Sequence, residues 1–429
     1  MSNKAKSPAM KDDGRLALTP VRRFPGFTAP WVLEPLSKVL KEYKIKNTAG
    51  RDVFSVSMER GIVNQIELLG RSYAAADTSH YTIGRRFDVV YTKSPLKAFP
   101  FGIVKQCKFD GEVALSPLYG VFTPTNPHVG LMIEAYFESP DRSKAFLSPL
   151  CQKGAKNTLQ ITNTTFLSGR LPLPTQALEQ QKIADCLTSV DELIAAQARK
   201  VDALNTHKKG LMQEFFPREG ETQPRLRFPE FQNTGEWEPD TLENLCTAKI
   251  SYGIVQAGPH VPNGMPYIKS TDLNSELRLP YLSRTSDEIA RKYRRSEVVP
   301  GDLVFSLRGN IGVTQIVPKE IPVANLTQGT ARIRTRGPSE FYLQALQTQP
   351  VRDRISAVSK GSTFQEISLE ALREILIYRP DISEQQRIAD CLSSLDDLIA
   401  AQTDNLRALK NHKKGLIQQL FPSQEELEV

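Results

Sequence analysis

The chain has 429 residues, of which 40% are hydrophobic and 24% are charged, and its formal net charge is +7. This length and composition are typical of two or three globular domains. No apolar run approaches the length of a membrane span, the N-terminus lacks the apolar core of a signal peptide, and none of the five cysteines stands in a C-x-x-C pair. The sequence therefore argues against a membrane protein, a disulfide framework and a zinc cluster, and it predicts work in a reducing cytoplasm.

The first part of the chain is predicted to be a mobile tail, residues 1–20, followed by a globular segment, residues 21–172. The globular segment begins with the motif Arg23-Phe24-Pro25. Short apolar runs between turn residues predict strands, and one longer apolar run predicts a helix. The runs are 53–56, 87–91 and 102–104 for the strands and 131–137 for the helix. Together they favour an α+β domain with a twisted, mostly antiparallel sheet.

A helical region is predicted next, over residues 173–220, because apolar residues recur every three or four positions. The apolar residues of this heptad seam are Ile183, Leu187, Val190, Ile194, Val201, Leu204, Leu211 and Phe215. Gln197 and Lys208 interrupt the seam, and polar residues at such positions tend to fix the register and the partner of a helix. Ser189 and Glu192 resemble a capping box, which predicts a short helix followed by a longer one.

The second half of the chain repeats this organisation. A globular segment, residues 221–378, begins with Arg227-Phe228-Pro229 and is again predicted to be α+β. Its predicted strands are 265–268, 301–305 and 311–316, and its predicted helix is 341–346. A second helical region, residues 379–422, and a tail, residues 423–429, follow it in the predicted order of elements.

The two helical regions are copies of one another. Glu179-Gln180-Gln181 recurs 205 positions later as Glu384-Gln385-Gln386, and the match continues without a gap to Phe421-Pro422 with roughly two thirds of the positions identical. The second seam is Ile388, Leu392, Leu395, Ile399, Leu406, Leu409, Leu416 and Leu420, and Gln402 and Lys413 interrupt it at the same places. Each helix could pack on its own domain, or the two could pair as an antiparallel coiled coil related by a pseudo-twofold axis. The shared narrow seam and the shared interruptions favour the coiled coil.

The globular segments are related but have diverged. Asp88 corresponds to Asp302 within two similar strands, and Gly61 corresponds to Gly253 in a similar Gly-Ile-Val stretch. Between such markers the loops differ. Nearly constant helices joined to variable domains are the pattern expected if the helices bind a common partner and the domains bind two different targets.

The positive charge lies mainly in the globular segments, because residues 175–217 hold five Lys/Arg and six Asp/Glu. Basic domains on a nearly neutral spacer indicate a polyanionic partner, most simply nucleic acid, and ordinary solubilising charge is the alternative. The candidate DNA contacts are basic, amide and aromatic residues on predicted loops. They are Arg71, Arg85, Arg86, Lys93 and Lys97 in the first segment, and Tyr252, Gln256, Arg291, Lys292, Arg294, Arg295, Arg308, Asn310 and Gln328 in the second.

Two of these groups carry specific hypotheses. The basic cluster 291–295 is the densest, and it is expected either to contact phosphates or to form a solvated helix face. The loop 306–310 follows a predicted strand and turns at a glycine. Arg308 is suited to bind guanine through two hydrogen bonds and Asn310 to bind adenine, unless the loop is a plain hairpin turn.

Essentially the whole chain resembles the specificity subunit of type I restriction-modification enzymes. The resemblance rests on the twice-used Glu-Gln-Gln-x-Ile-Ala helical motif, the paired Arg-Phe-Pro segments and the two variable domains. It implies that the variable domains are target recognition domains, each of which reads half of a split DNA site in an adenine-methylation system. It also implies that the helices act as a ruler and dock two modification subunits, in a complex with restriction/translocase subunits. S-adenosylmethionine, ATP and magnesium are then expected on the partner subunits, and no cofactor or metal is expected on this chain.

No catalytic constellation is found in the sequence. A methyltransferase needs a glycine-rich cofactor loop and an Asn/Asp-Pro-Pro-aromatic motif, and Asn126-Pro127-His128 departs from that motif at its third position. The sequence has no P-loop, and its five histidines show no metal-ligand spacing. The favoured hypothesis is a non-catalytic DNA-recognition subunit. The alternatives are an enzyme that carries its own methylation or cleavage activity and a coiled-coil scaffold that binds only protein.

Overall fold

The computed structural model describes residues 18–153, 159–361 and 365–423 of the chain. The chain divides into two compact units. Unit 1 comprises Met1–Gln197 and Asn405–Val429, and unit 2 comprises Ala198–Asp404. Each unit therefore contains one globular segment and a part of each helical region.

Unit 1 is built from short strands and short helices. In chain order they are β1 (Val32–Pro35), α1 (Leu36–Val39), β2 (Leu40–Glu42), β3 (Val53–Ser57), β4 (Gly61–Asn64), α2 (Gln65–Leu69), β5 (Thr82–Arg85), β6 (Val89–Thr92), β7 (Ile103–Gln106), β8 (Glu112–Leu115), β9 (Gly120–Pro124), α3 (Pro127–Phe137), α4 (Pro140–Leu147), β10 (Gln152–Lys153), β11 (Leu159–Gln160), α5 (Asn163–Ser168), β12 (Arg170–Leu173) and the first part of α6 (Ala177–Phe215). One antiparallel sheet has the order β2-β9-β6-β7. A second sheet has the order β4-β3-β8-β5, in which β3 and β8 are parallel. The pairs β1–β12 and β10–β11 are antiparallel.

The core of unit 1 lies between α3 and the β2-β9-β6-β7 sheet. The side chain of Asn126 caps α3 by accepting a hydrogen bond from the backbone N–H of Val129 at 2.9 Å. Residues 129–137 of this helix are all buried, and α3 packs on β6, β7 and β9. The Asn126-Pro127-His128 sequence, which partly matches a methyltransferase motif, is thus explained by the role of Asn126 as the N-cap of α3.

Unit 2 contains the second globular segment and the remaining parts of the long helices. Its elements are β13 (Glu238–Thr241), β14 (Cys246–Tyr252), β15 (Met265–Ile268), β16 (Ser283–Thr285), α7 (Asp287–Lys292), β17 (Leu303–Ser306), β18 (Thr314–Ile316), β19 (Asn325–Leu326), β20 (Thr330–Thr335), α8 (Ser339–Gln347), α9 (Gln349–Val358), α10 (Leu369–Arg373), β21 (Leu376–Arg379) and the first part of α11 (Ile382–Leu420). One antiparallel sheet has the order β14-β20-β17-β18. A second has the order β16-β15-β19 with β15 and β19 parallel, and β13 pairs antiparallel with β21.

The two globular segments share one plan, as the sequence repeat predicts. The sheets β2-β9-β6-β7 and β14-β20-β17-β18 have equivalent orders, and a buried aspartate precedes the third strand of each. The carboxylate of Asp88 accepts a hydrogen bond from the backbone N–H of Arg85 at 2.6 Å, and that of Asp302 accepts one from Val299 at 2.8 Å. Each aspartate therefore closes the turn that leads into its strand.

The proposed correspondence of Gly61 with Gly253 is wrong. Gly61 begins β4 in the β4-β3-β8-β5 sheet, whereas Gly253 directly follows β14. The equivalent of β14 in unit 1 is β2, so the residues that correspond to those after Gly253 are the ones that follow Glu42. A local likeness of three residues misled the comparison, because strand order and not sequence decides which loops are equivalent.

The Arg-Phe-Pro motifs fasten each globular segment to a long helix. The guanidinium of Arg23 binds Glu179 of α6 through hydrogen bonds of 2.6 and 2.7 Å, and Arg227 binds Glu384 of α11 through bonds of 2.9 and 2.5 Å. The side chains of Glu179 and Glu384 are only 1% and 2% exposed. Because a buried carboxylate is costly unless it is paired, each Glu-Gln-Gln motif needs its Arg-Phe-Pro motif.

Each long helix is continuous. α6 and α11 have 39 residues each, which corresponds to a length of about 58 Å. The predicted break after a short first helix is wrong, because Ser189 and Ser394 lie inside the helices. Their hydroxyl groups donate to the carbonyls of Asp185 and Asp390 four residues earlier, instead of capping a new helix. Neither of these helices, nor any other in the described part of the chain, is long and apolar enough to cross a membrane.

The long helices run antiparallel, and their buried stripe is the predicted seam. In unit 1, Lys413 of α11 pairs with Asp191 of α6 at 2.7 Å, and in unit 2, Lys208 of α6 pairs with Asp396 of α11 at 2.6 Å. The apolar seam residues are buried or half-buried along both helices. The predicted antiparallel pairing is confirmed, and the lysines that interrupt the seams hold its register.

Most predicted elements of the globular segments are confirmed. The runs 53–56, 102–104, 265–268, 131–137 and 341–346 correspond to β3, β7, β15, α3 and α8. The predicted strands 87–91, 301–305 and 311–316 begin two or three residues before β6, β17 and β18. In each of these a residue with positive φ belongs to the preceding turn, and the three are Phe87, Gly301 and Gly312.

The first described residues belong to the globular part of unit 1. Leu18 is fully buried, and its carbonyl accepts a hydrogen bond from the backbone N–H of Trp31 at 3.1 Å. The prediction that residues 18–20 belong to a mobile tail is therefore wrong. The rest of the predicted tails, 1–17 and 424–429, lies outside the described residues.

Candidate nucleic-acid interface

In unit 2, one end of the β14-β20-β17-β18 sheet gathers several predicted DNA contacts. Tyr252 at the end of β14 pairs with Ala331 of β20, and Ser306 at the end of β17 pairs with Thr330 of β20. The segments 253–256, 307–310 and 327–329 leave the sheet at this end. The predicted residues brought together here are Tyr252, Gln256, Arg308, Asn310 and Gln328, and we call this group the unit 2 sheet end.

Backbone hydrogen bonds tie the three segments of the unit 2 sheet end together. The N–H of Gly253 donates to Thr327 at 3.1 Å, that of Gln328 donates to Ile254 at 2.8 Å, and that of Leu307 donates to Gly329 at 2.9 Å. A Cβ on Gly253 would lie 1.8 Å from the carbonyl oxygen of Leu326, so only glycine allows this approach. The loops are therefore held in fixed positions relative to one another.

The loop after β17 is a rigid hairpin connection. The hydroxyl of Ser306 donates to the carbonyl of Arg308 at 3.0 Å, and the N–H of Gly312 donates to the carbonyl of Ser306 at 3.1 Å. Gly309 and Gly312 have φ values of 75° and 85°, which glycine adopts without strain. The hairpin alternative is thus correct for the backbone, and it leaves Arg308 and Asn310 exposed at the tip.

Both polar side chains of this loop already have protein partners. The guanidinium of Arg308 pairs with Glu366 at 2.8 Å, with side-chain exposures of 44% and 49%. The amide of Asn310 donates to the side-chain oxygen of Asn274 at 3.1 Å. These contacts orient the two groups that the sequence assigns to base recognition.

The basic cluster 291–295 flanks the unit 2 sheet end. Ser251 of β14 donates through its hydroxyl to the carbonyl of Arg295 at 3.3 Å, and the amide of Asn325 in β19 donates to the carbonyl of Tyr293 at 3.3 Å. The cations of this cluster are all exposed, and they are Arg291, Lys292, Arg294 and Arg295. Arg291 and Lys292 lie on α7, so the cluster is in part a solvated helix face, and Arg295 lies beside β14, the strand that leads into segment 253–256.

The equivalent sheet end in unit 1 forms an open groove. Its volume is about 890 Å³. Its walls are formed by the segments after β2, after β6 and before β9, and these strands are the counterparts of β14, β17 and β20. We call it the unit 1 groove. The residues from these three segments are Tyr43, Lys44, Lys46, Lys93, Ser94, Pro95, Pro117, Leu118 and Tyr119, joined by His80 and by residues 161–164 of the α5 side.

Lysines dominate the charge of the unit 1 groove. Lys44, Lys46 and Lys93 line it, and Glu42 pairs with Lys44 at 3.1 Å while accepting a hydrogen bond from Asn163 at 2.9 Å. Partial burial lowers the pKa of the Lys93 ammonium, and the positive charge of Lys44 lowers it further, while the negative charge of Glu42 raises it by less. A surface with three cations and one partly engaged carboxylate is suited to a polyanion.

Tyr43 is fixed in the groove wall by Asp88. Its hydroxyl donates to the Asp88 carboxylate, which also accepts from Thr123 at 3.1 Å. Burial raises the pKa of Tyr43 well above its ordinary value, and the hydrogen bond to Asp88 adds to the effect. The phenol therefore stays protonated and acts as a fixed part of the wall.

The predicted DNA contacts of unit 1 do not form one site. Lys93 lines the groove and Lys97 is exposed in the turn that follows it. Arg85 and Arg86 precede β6 and therefore lie at its opposite end, where they pair with Glu112 at 3.2 Å and with Asp110. Arg71 lies beyond α2, next to the other sheet, with its guanidinium 4.5 Å from the ring centre of Tyr73. The five candidates of unit 1 therefore lie in three separate places, and only Lys93 lines the groove.

Most residues of the unit 1 groove are not among the contacts predicted from the sequence. Lys44 and Lys46 belong to the run Lys41-Glu42-Tyr43-Lys44-Ile45-Lys46, whose basic and aromatic alternation was the available signal. The signal was weak because β2 has only three residues.

In the described part of the chain, no group of three or more His, Cys, Asp or Glu side chains is arranged to hold a metal ion.

The sequence is similar to those of known DNA specificity subunits. A sequence profile described as the type I restriction modification DNA specificity domain matches residues 234–411. The chain is 28% identical over 186 residues to the type I restriction enzyme EcoBI specificity subunit of Escherichia coli, over 41% of this chain and 39% of the relative. It is 24% identical over 263 residues to the type I restriction enzyme MjaVIII specificity subunit of Methanocaldococcus jannaschii, over 59% of this chain and 61% of the relative. These alignments span less than two thirds of the curated relatives.

The fold is shared over nearly the whole chain. The crystal structure of the S subunit of a type I restriction-modification system from M. genitalium superposes with a TM-score of 0.58 at 14% identity, covering 95% of this chain and 100% of that one. A chain from a structure of the assembly and conformational transition of a type I restriction-modification system gives a TM-score of 0.51 at 17% identity, covering 94% and 99%.

Proposed function

We propose that this chain is a member of the type I restriction-modification specificity family and a non-catalytic subunit that recognises a two-part DNA sequence. The observation that carries the proposal is the pair of equivalent sheet ends, the unit 1 groove and the unit 2 sheet end. The scaffold beneath them is the same, whereas the side chains on them differ. Each sheet end is therefore suited to a different half-site.

The two kinds of contact that DNA recognition needs are both available in unit 2. Arg308 and Asn310 stand on a rigid loop, as base-edge contacts require, because a bidentate hydrogen bond depends on the position and plane of the side chain. The exposed cluster 291–295 is suited to phosphates, which need charge but little orientation. In unit 1, Lys44, Lys46 and Lys93 supply the phosphate contacts.

The long helices are proposed to bind two copies of one modification subunit, in a complex that also includes restriction/translocase subunits. Leu193 on α6 and Leu398 on α11 are equivalent in the repeat and are 57% and 41% exposed. Exposed leucines at the same place on two copies of one helix offer the same apolar contact twice. S-adenosylmethionine, ATP and magnesium are proposed to bind to those partners, and the chain is proposed to work in the cytoplasm, where its five free cysteines stay reduced.

Salt-dependent DNA binding tests the proposed function. The purified chain is titrated onto a fluorescent duplex with a randomised core at several salt concentrations. The logarithm of the binding constant should fall linearly with the logarithm of the salt concentration. Arg294→Ala should reduce the slope by about one, whereas Arg225→Ala, which removes an exposed cation already paired with Glu221 at 3.1 Å, should leave it unchanged. Absence of salt-dependent binding would instead support a scaffold that binds only protein.

A further inference from the structure

The ion pair between Arg308 and Glu366 joins two pieces of backbone that are already fixed. Glu366 exchanges two backbone hydrogen bonds of 2.9 Å with Lys360, and the N–H of Ile367 donates to the carbonyl of Leu307 at 3.1 Å. Ile367 is 1% exposed and anchors this segment in the core. The loop that carries Arg308 is held by its own hydrogen bonds, so the ion pair is not needed to hold either backbone.

The ion pair leaves most of the Arg308 guanidinium available. One Nη2–Oε1 contact of 2.8 Å engages a single N–H, and a guanidinium has five. The Arg308 side chain is 44% exposed, and a Cβ on the neighbouring Gly309 would have no atom within 4 Å, so solvent reaches the tip of the loop. The carboxylate therefore sets the direction of the guanidinium while other N–H groups can reach a ligand.

We propose that Glu366 is a positioning residue for DNA recognition: it holds the Arg308 guanidinium in the orientation that binds a guanine edge in the unit 2 half-site. The proposal rests on the proposed function and assigns a specific role within it. A guanine contact requires a fixed guanidinium plane, whereas a phosphate contact accepts many orientations. An orienting carboxylate therefore favours the base contact over the phosphate contact.

The negative charge of Glu366 also favours the specific site over other sequences. A carboxylate at the edge of a DNA surface repels phosphates of any sequence, which weakens non-specific binding. Ordering one long side chain in advance is worth roughly a two- to tenfold gain in affinity, because the complex no longer loses that conformational freedom. The exposed ion pair itself contributes little to folding, so its loss should leave thermal stability nearly unchanged.

The experiment compares variants on two duplexes: the sequence that the wild-type protein selects from a randomised pool, and a scrambled version of it. Glu366→Ala should weaken binding to the selected duplex by about two- to tenfold and leave binding to the scrambled duplex equal or stronger. Glu366→Gln keeps an oxygen acceptor, so its affinity for the selected duplex should lie between those of the wild-type protein and Glu366→Ala. Glu219→Ala removes an exposed carboxylate paired with Arg354 at 2.9 Å and is the matched control, with no expected change in the ratio of affinities.

Four outcomes separate the possibilities. In an Arg308→Ala background, Glu366→Ala should no longer change the ratio of affinities, because the positioning role acts through Arg308. If Glu366→Ala strengthened binding to the selected duplex, then Glu366 would merely sequester Arg308 and the inference would be wrong. An unchanged ratio with a wild-type protein that does prefer its selected duplex would also overturn it, whereas a wild-type protein with no preference would overturn the proposed function itself.

Discussion

Replacement of Arg227 by alanine is expected to destabilise unit 2 by about 3–5 kcal/mol. The substitution leaves the carboxylate of Glu384 buried, at 2% exposure, without the guanidinium that binds it at 2.9 and 2.5 Å. It also removes hydrogen bonds of 3.1 Å from Arg227 to the carbonyls of Thr234 and Gly235. Since an unpaired buried charge accounts for most of the cost, the double variant Arg227→Met/Glu384→Met should be less destabilised than Arg227→Ala.

Tryptophan fluorescence can follow this unit alone. The chain has two tryptophans, Trp31 in unit 1 and Trp237 in unit 2, and both are buried. In a Trp31→Phe background, urea unfolding monitored by fluorescence reports only the surroundings of Trp237. The matched control is Arg225→Ala, because Arg225 forms an exposed ion pair with Glu221 at 49% and 38% exposure and should cost less than about 1 kcal/mol. Equal shifts of the unfolding midpoint for the Arg227 and Arg225 variants would refute the reasoning.

Three further predictions concern the helices and the sheet end. The ammonium of Lys413 binds the carboxylate of Glu138 at 2.7 Å. Burial raises the pKa of Glu138, but the charges of Lys105 and Lys413 outweigh burial and hold this pKa below its ordinary value of 4.5. The ion pair therefore stabilises the folded state above pH 4.5, and this stabilisation is lost as the pH falls through the lower folded-state pKa. Lys413→Met should therefore lower the melting temperature of unit 1 at neutral pH by a margin that shrinks in acid, and a margin independent of pH would contradict this. Gly253→Ala should destabilise unit 2 by about 1–3 kcal/mol or more and reduce DNA binding, whereas Gly329→Ala, whose Cβ would stay 3.5 Å from its nearest neighbour, should be tolerated in both measurements. Native mass spectrometry of the co-expressed complex should show one copy of this chain with two copies of the modification subunit, and a reproducible one-to-one complex at saturating partner would count against the shared helix surface.

The long helices could be predicted from sequence because their signal is periodic and repeated. A seam of apolar residues over many turns identifies a paired helix, and identical interruptions in both copies identify the pairing. The partners of those interruptions were not predictable, because Asp191 and Asp396 lie far from Lys413 and Lys208 in sequence and meet them only in the antiparallel arrangement. The same holds for the Arg-Phe-Pro motif, which is visible in the sequence, whereas its carboxylate partner requires the fold.

The candidate site was only partly predictable because it is assembled from loops. The loop of Arg308 and Asn310 was predicted apart from Tyr252 and Gln328, and strand order brings them all to one sheet end. In unit 1, sequence proximity was misleading, since Arg86 and Lys93 are seven positions apart but lie at opposite ends of β6. Side chains that flank a short strand at its two ends cannot share one surface loop.

Selection of binding sites from a randomised duplex pool tests the central claim most directly, because it measures how many DNA elements the chain reads and which unit reads each. The wild-type protein should select a sequence of two conserved parts separated by a non-conserved spacer. Arg308→Ala should degrade one part only, and the unit 1 groove variant Lys44→Ala/Lys93→Ala should weaken binding without degrading that same part. A single continuous element, or the loss of both parts in the Arg308→Ala variant, would contradict the assignment of one half-site to each unit.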